Sequence, residues 1–368
     1  MAKKSLEQFQ RDISRVFEAG MHKGSKRAST PKFRAEHTFS RETTENYASV
    51  ARDFGNFVYQ SHGVTDLRFL KSEHGQAFIE RQLERFQNGQ LSAGTVKTYI
   101  HSLAKLQSMA REQMGARIRV INKDEMLTRA KEVDAVRRIE DAHKGRIISR
   151  FEAEQMVDQL AGSHSPNALV ISELARFALE TGARITAGLR FQVQHIDFGR
   201  NAVTFEGDKG GKTRTVVQVD PSYVRHLQTF VEGRTPGRQV FEILRQDGNL
   251  HNLDDARHTI ENLYARHAEK IGIDGANFHS QRKAFANVRY ATYRELNYKA
   301  LERELTERMK FSPQLADKIK NIESRMGAHH GVGRHLSHDQ IAKLLVSIDL
   351  GHERLDVLRF YLESDEEE

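Results

Sequence analysis

The sequence predicts a mainly α protein in two domains, with a small antiparallel β-hairpin or sheet set into the second. Three observations carry this. The chain has 368 residues, more than one ordinary core accommodates. Apolar residues recur at helical spacing along most of it. The exception is a pair of short Val- and Thr-rich runs, "NAVTFEGD" and "TRTVVQV", joined by "KGGK", which reads as a hairpin.

Composition narrows the class. The formal charge is +7 although the chain ends in "ESDEEE", so the remainder is more basic than the total suggests. Such a balance favours a polyanionic partner such as nucleic acid. With 57 basic against 50 acidic residues, a merely well-solvated surface is the plainer alternative. There is no cysteine, which excludes disulfides, thiolate metal sites and cysteine nucleophiles. The opening "MAKKSLEQFQRDISRVFEAG" has no apolar run fit for a signal peptide, and no later stretch could span a bilayer. A soluble cytoplasmic protein with no membrane partner is expected.

In chain order, residues 1–40 are polar and basic, with "HKGSKRASTPKFR" in the middle, and predict a mobile arm with at most a short helix at "LEQFQRDISRVFEAG". Residues 41–121 predict a small helical domain. Behind Ser40 as N-cap, Tyr47, Val50, Phe54, Phe57 and Val58 form a stripe. A second helix fits "GQAFIERQLERFQNG", and a third carries Val96, Tyr99, Ile100, Leu103 and Leu106. Residues 122–145 alternate in charge and read as a solvated helical linker. Residues 146–368 form the larger domain, opening with "GRIISRFEAEQMVDQLA". There Ser165-Pro166 predicts a helix start and Thr181-Gly182 its stop. After the hairpin, everything beyond Pro221 reads helical.

Taken singly, the residues that could carry chemistry are weak signals. His279 and Arg282 make an H-x-x-R, but so do His143 and Arg146. Arg184 lies just past a helix end, where the dipole favours cations anyway. Lys209 and Lys212 would ordinarily be solvated loop lysines. Tyr361 borders an amphipathic stripe of Leu355, Leu358 and Leu362. His352 and Tyr361 are nine positions apart, which on one helix at about 100° per residue puts them on opposite faces. Either they are unrelated or the chain bends between them.

Their order says more. Arg184 in "TGxRI", the "KGxKxR" turn from Lys209 to Arg214, His279-x-x-Arg282, and "LGHxRLDVxxxYL" around His352 and Tyr361 together resemble the tyrosine recombinases of the phage integrase and Xer type. The resemblance runs from about residue 145 to 362, and the helical domain before it resembles that family's core-binding, SAM-like domain. It implies an α+β tyrosine recombinase catalytic domain and a site-specific recombinase. Such an enzyme works on double-stranded DNA with specific recombination sites, as in DNA integration by a mobile genetic element. By the same resemblance, Arg184 and Arg282 clamp the phosphate and Tyr361 is the nucleophile that forms a 3′-phosphotyrosyl bond. Lys209 protonates the leaving oxygen, His279 helps remove the tyrosine proton, and His352 donates to the phosphate. The bond energy is conserved in the intermediate, so no cofactor or metal is implied. A homotetramer on synapsed DNA, a Holliday junction and a directionality factor as further partner come with the family. A type IB topoisomerase and a catalytically inactive DNA-binding or architectural protein are the alternatives.

Three departures from the family pattern stand out. Ala187 occupies the position, three after the first arginine, where an acidic residue is usual. Lys283 follows Arg282 where histidine is common. Seventy positions separate Arg282 from His352, an insertion at about 290–340. It holds a charged helix with Tyr298, Leu301, Leu305 and Met309 on one face. It also holds His329, His330, His335 and His338, for which no cysteine or carboxylate pattern supports a metal site. Only seven residues follow Tyr361, so the family's usual C-terminal exchange between protomers is not expected in the same form. The inserted apolar face is expected to dock on a neighbouring subunit instead; folding back on its own domain is the alternative.

Overall fold

The computed structural model describes residues 4–22, 33, 36–115, 117–135, 146–208, 212–310, 316, 317, 319, 336–352, 355 and 357–362. Lys209, the acidic end, most of the basic stretch around residues 22–34 and the loop with His329, His330 and His335 lie outside the described residues. The chain divides into two units, Met1–Ala142 and His143–Glu368. No helix among the described residues is long and apolar enough to cross a membrane.

The regular elements described in the first unit are helices, with one isolated bridge between Met21 and Thr38. Helix α1 (Leu6–Ala19) starts at Ser5, whose hydroxyl accepts the Gln8 amide. Its Phe9, Ile13, Val16 and Phe17 are buried in the same core as Phe54, Val58, Ile100 and Leu103. The expected mobile arm therefore begins with a core helix: four apolar side chains at helical spacing outweigh the local charge. Helices α2 (Arg41–His62), α3 (Ser72–Gln87) and α4 (Ala93–Met114) follow, with Ser40 and Ser92 as side-chain N-caps of the first and last. Helix α5 (Lys123–Glu132) falls in the expected solvated linker, yet Met126 and Ala130 are buried in this core. The segment before it is stapled to α4 by the Gln107 side-chain oxygen, which accepts the amides of Val120 and Ile121.

The second unit opens with α6 (Arg150–Ala161), closed by a Ser149–Glu152 capping box. Helix α7 (Ala168–Thr181) starts later than Ser165-Pro166 suggests, because Asn167 turns its side chain to the Leu244 backbone instead of capping. After the short α8 (Ile185–Leu189), strands β1 (Ile196–Asp197), β2 (Ala202–Asp208) and β3 (Lys212–Val216) form an antiparallel sheet in that order. Val203 faces Val216, and Phe205 faces Arg214. Then come α9 (Pro221–Phe230), α10 (Leu253–Lys270), α11 (Phe278–Glu295), α12 (Tyr298–Lys310) and α13 (His338–Asp349). A single 3-10 turn follows at Leu358–Phe360.

Two of these helices matter for function. Helix α11 is buried on nearly all sides, and its buried residues include Ser280, Gln281, Arg282 and Lys283. A helix enclosed this way is normally apolar all round, so its charges call for a reason. Helix α12 is the charged helix of the insertion. Its Leu301 and Leu305 are buried in the core of their own unit, alongside Ile341, Leu344 and Leu345 of α13. The face expected to dock on a neighbouring subunit is already covered: it folds back.

Candidate active site

The site is assembled at two helix ends and the N-terminal half of α11. At the first end, Thr181 closes α7 by donating its hydroxyl to the Phe177 carbonyl at 2.5 Å. Gly182 then turns with φ of +63°, where a Cβ would come within 2.6 Å of the Phe285 ring. Its carbonyl is thereby aimed at two guanidinium groups, Arg214 Nη2 at 3.1 Å and Arg282 Nη1. This accounts physically for the "TG" ahead of Arg184. Arg184 itself donates from Nη1 to Asp208 Oδ2 at 2.6 Å, and Arg214 Nε donates to the same oxygen at 3.0 Å.

The second end explains "LGH". Helix α13 closes in a Schellman motif: the His352 amide donates to the Ser347 carbonyl and the Gly351 amide to that of Ile348, both at 2.8 Å. Gly351 has φ of +68°, and a Cβ there would meet Arg214 Cδ at 2.7 Å. The freed carbonyls receive the arginines, Asp349 O from Arg214 Nη1 at 2.6 Å and Leu350 O from Arg282 Nη2 at 2.5 Å. His352, just past the cap, faces inward.

Between these ends, Arg282 is 0% exposed, and its Nε is buried without a hydrogen-bond partner among the described residues. Its guanidinium carbon lies 5.7 Å from the centroid of the Tyr361 ring. The Tyr361 hydroxyl is 3.0 Å from His352 Nε2, and Arg282 Nη2 reaches the same nitrogen at 3.4 Å. An arginine N–H only donates, so this nitrogen accepts and the tyrosine hydroxyl donates to it. The ring of His279 stands edge-on to Tyr361 at 5.5 Å. Asn287 Nδ2 donates to the Tyr361 carbonyl at 2.8 Å, fixing the backbone that carries the hydroxyl.

His352 and Tyr361 thus share one site because the chain changes direction between the α13 cap and the 3-10 turn, as the bend between them requires. Five of the six sequence candidates, Arg184, His279, Arg282, His352 and Tyr361, are brought together. The sixth, Lys209, lies outside the described residues, one position after Asp208. Sequence reasoning did not single out Asp208, Asn287 or Asp349, and it quoted Arg214 without a role. Asp208 resolves the departure at Ala187: the carboxylate that holds Arg184 comes from the end of β2.

Electrostatically, the site is a largely buried excess of positive charge. Burial, then the neighbouring Arg282, pushes the pKa of Arg214 below the usual arginine range; burial, then Arg184, does the same to Arg282. Both remain cationic at neutral pH. Arg184 and Arg214 share the carboxylate of Asp208. Buried cations in excess of their counter-ions are costly unless an anion completes them. The described residues contain no group of histidines and carboxylates fit to hold a metal ion.

No protein-family model and no curated protein matches the sequence. Solved structures do match. A XerH site-specific recombinase bound to palindromic difH substrate, in a post-cleavage complex, superposes with a TM-score of 0.56 at 14% identity, covering 98% of this chain and 93% of that one. Its pre-cleavage complex gives 0.54 at 14% identity, over 98% and 95%. The Tn1549 transposon integrase in complex with transposon right end DNA gives 0.52 at 13% identity, over 96% and 95%. At such identities the likeness is one of fold, and it extends over nearly the whole chain: this protein has the tyrosine recombinase fold.

Proposed function

We propose that the protein is a site-specific DNA recombinase that cuts and rejoins duplex DNA through a 3′-phosphotyrosyl intermediate and a Holliday junction. The observation that carries this is the Tyr361 hydroxyl, hydrogen-bonded to His352 beside a fully buried Arg282 whose Nε has no partner among the described residues. A phosphodiester repels nucleophiles, and attack builds charge on its non-bridging oxygens. Arg184 and Arg282 supply the fixed cationic donors that such a transition state needs. Tyr361 is the nucleophile, and His352, already its hydrogen-bond acceptor, takes the proton. That role passes from His279, which faces the same ring and becomes a donor to the phosphate. Lys209, the residue after Asp208 in the sequence, is the acid for the leaving 5′-oxygen. By the same reading the partners are duplex DNA with two recombination sites and three further copies of the chain.

A nicked suicide substrate, made from DNA flanking the gene, tests the reading. The protein should form a covalent adduct with it, and Tyr361→Phe should form none. An adduct of equal yield in that variant overturns Tyr361 as the nucleophile.

A further inference from the structure

We infer that Arg308, on the inserted helix α12, is a positioning residue for the candidate active site. It holds Asp349, and through Asp349 the α13 cap that presents His352 and the carbonyls orienting Arg214 and Arg282. The inference rests on the recombinase reading of that site. It assigns the insertion a role within its own protomer.

Asp349 is 0% exposed, the last residue of α13 and three positions before His352. Its carboxylate accepts Arg308 Nη1 at 2.9 Å and the Tyr293 hydroxyl at 2.8 Å, with Arg289 Nε at 3.4 Å. Its backbone carbonyl accepts Arg214 at 2.6 Å. One residue therefore joins the insertion to the arginine cluster, side chain to one and main chain to the other. Arg308 is fixed in turn: Nε donates to Glu304 at 3.0 Å, and Nη2 to the Tyr293 hydroxyl at 3.3 Å. If α12 only filled space, Leu301 and Leu305 would suffice, and a methionine or leucine at 308 would be cheaper to bury than a guanidinium. A buried arginine with all three nitrogens engaged fixes geometry. The geometry it fixes is the cap, where a displacement of about 1 Å is enough to disorder catalysis.

Loss of Arg308 leaves Asp349 with Arg289 and Tyr293, so the carboxylate keeps a counter-ion. It loses the partner that holds it towards α12. The cap then follows the carboxylate, and His352 and the Leu350 carbonyl move with it.

The test is single-turnover adduct formation on the nicked substrate at saturating protein, well below the melting temperature. Arg308→Met should be slower by about 100-fold, the scale of a small misplacement at reacting groups, with DNA affinity unchanged. Leu227→Ala in α9 serves as the control for lost stability, since it opens a cavity in the same core and should keep the wild-type rate. A second readout needs no DNA: the His352 imidazole resonances, assigned by their loss in His352→Gln, should shift in Arg308→Met and stay put in Leu227→Ala. An unchanged rate together with unmoved His352 resonances overturns the inference and leaves α12 as packing. Should the wild type form no adduct, the recombinase reading fails while the resonances still decide the role of Arg308. Should Arg308→Met not fold, Arg308→Lys decides. It keeps the charge but loses the fork, so adduct formation should fall several-fold, and a wild-type rate overturns the inference.

Discussion

The two units bury different kinds of residue. The first closes around Phe9, Phe54, Val96 and Leu103. Its buried ionisable side chains, Asp12, His37, Asp66 and His74, all keep some exposure. The second encloses Arg282 and Asp349 completely and Lys283 almost so. Water can still solvate charges of the first kind; charges of the second kind depend wholly on protein partners. The contrast separates a unit whose core is apolar from one that encloses charge beside its candidate site. Burial depresses the pKa of Lys283 to about 8, another sign of charge held where it is not comfortable.

The largest effects come from breaking one core of each kind. Asp349→Ala strips Arg308 and Arg289 of their shared carboxylate and should cost about 3–5 kcal/mol, as the loss of one partner in a buried ion pair does. Phe9→Ala should cost a similar ~3–5 kcal/mol through an emptied cavity. Denaturant melts followed by hydrogen exchange assign each loss to its unit. The two should differ in repair: a hydrophobic replacement of similar volume restores the first unit at Phe9, and none restores Asp349. If Phe9→Ala leaves the first unit unchanged, α1 is not part of its core.

Next comes a variant that should move activity and stability in opposite senses. Arg282→Met removes a buried cation beside Arg184 and Arg214. Cleavage should fall about 10²–10³-fold, as when one transition-state donor is lost, yet the protein should melt no lower than wild type. A melting point several degrees lower would show that Arg282 holds the fold together as well as the phosphate.

How much of this could be read in the sequence follows from range. Ser40, the apolar stripes and the Val/Thr runs act within a few residues, so the helices and the sheet were legible. The set of Arg184, His279, Arg282, His352 and Tyr361 came from the resemblance of its ordered boxes to a family, and the fold brings these five side chains together; two of the motif glycines, Gly182 and Gly351, are helix-cap positions as well. Helix α1 was misjudged because "HKGSKRASTPKFR" beside it set the tone of the whole segment. Asp208, Asn287 and Asp349 were not legible at all. Each acts on a partner brought near only by the fold: Asp208 on Arg184, Asn287 on Tyr361, and Asp349 on Arg308 forty-one positions earlier.

Asp208 also offers a smaller, sharper test. Asp208→Asn keeps the shape but removes the charge that Arg184 and Arg214 share, and it should slow cleavage by about tenfold, the worth of a hydrogen bond to a charged group. Adding Ala187→Glu should return part of the rate, because position 187 is where a carboxylate would otherwise hold Arg184. No recovery in the double variant, with the single variant slow, would show that the hairpin end must carry the charge itself.

The smallest expected effect belongs to the first unit and bears on whether its charges matter at all. Asp66 accepts from the Arg68 side chain at 2.9 Å and pairs with Lys4 Nζ at 3.2 Å, just ahead of α1; Lys4 also reaches Asp12 of α1 at 2.7 Å. The Arg68 guanidinium, then Lys4, holds the Asp66 carboxyl well below the usual carboxylate range. A carboxyl whose folded pKa is depressed stabilises the fold above its unfolded value of about 3.9, and that contribution drains away as pH falls below it. Arg68 and Lys4 are themselves solvated, so the worth is about 1 kcal/mol or less. Asp66→Asn retains an acceptor for the Arg68 amide, leaving charge as the difference. Hydrogen exchange of the α1 amides in the full chain should then be faster in the variant at pH 5, by about fivefold at most, and the gap should close towards pH 2.5. A gap that stays constant with pH would mean Asp66 acts through its hydrogen-bond geometry alone, and the first unit would owe nothing to its charges.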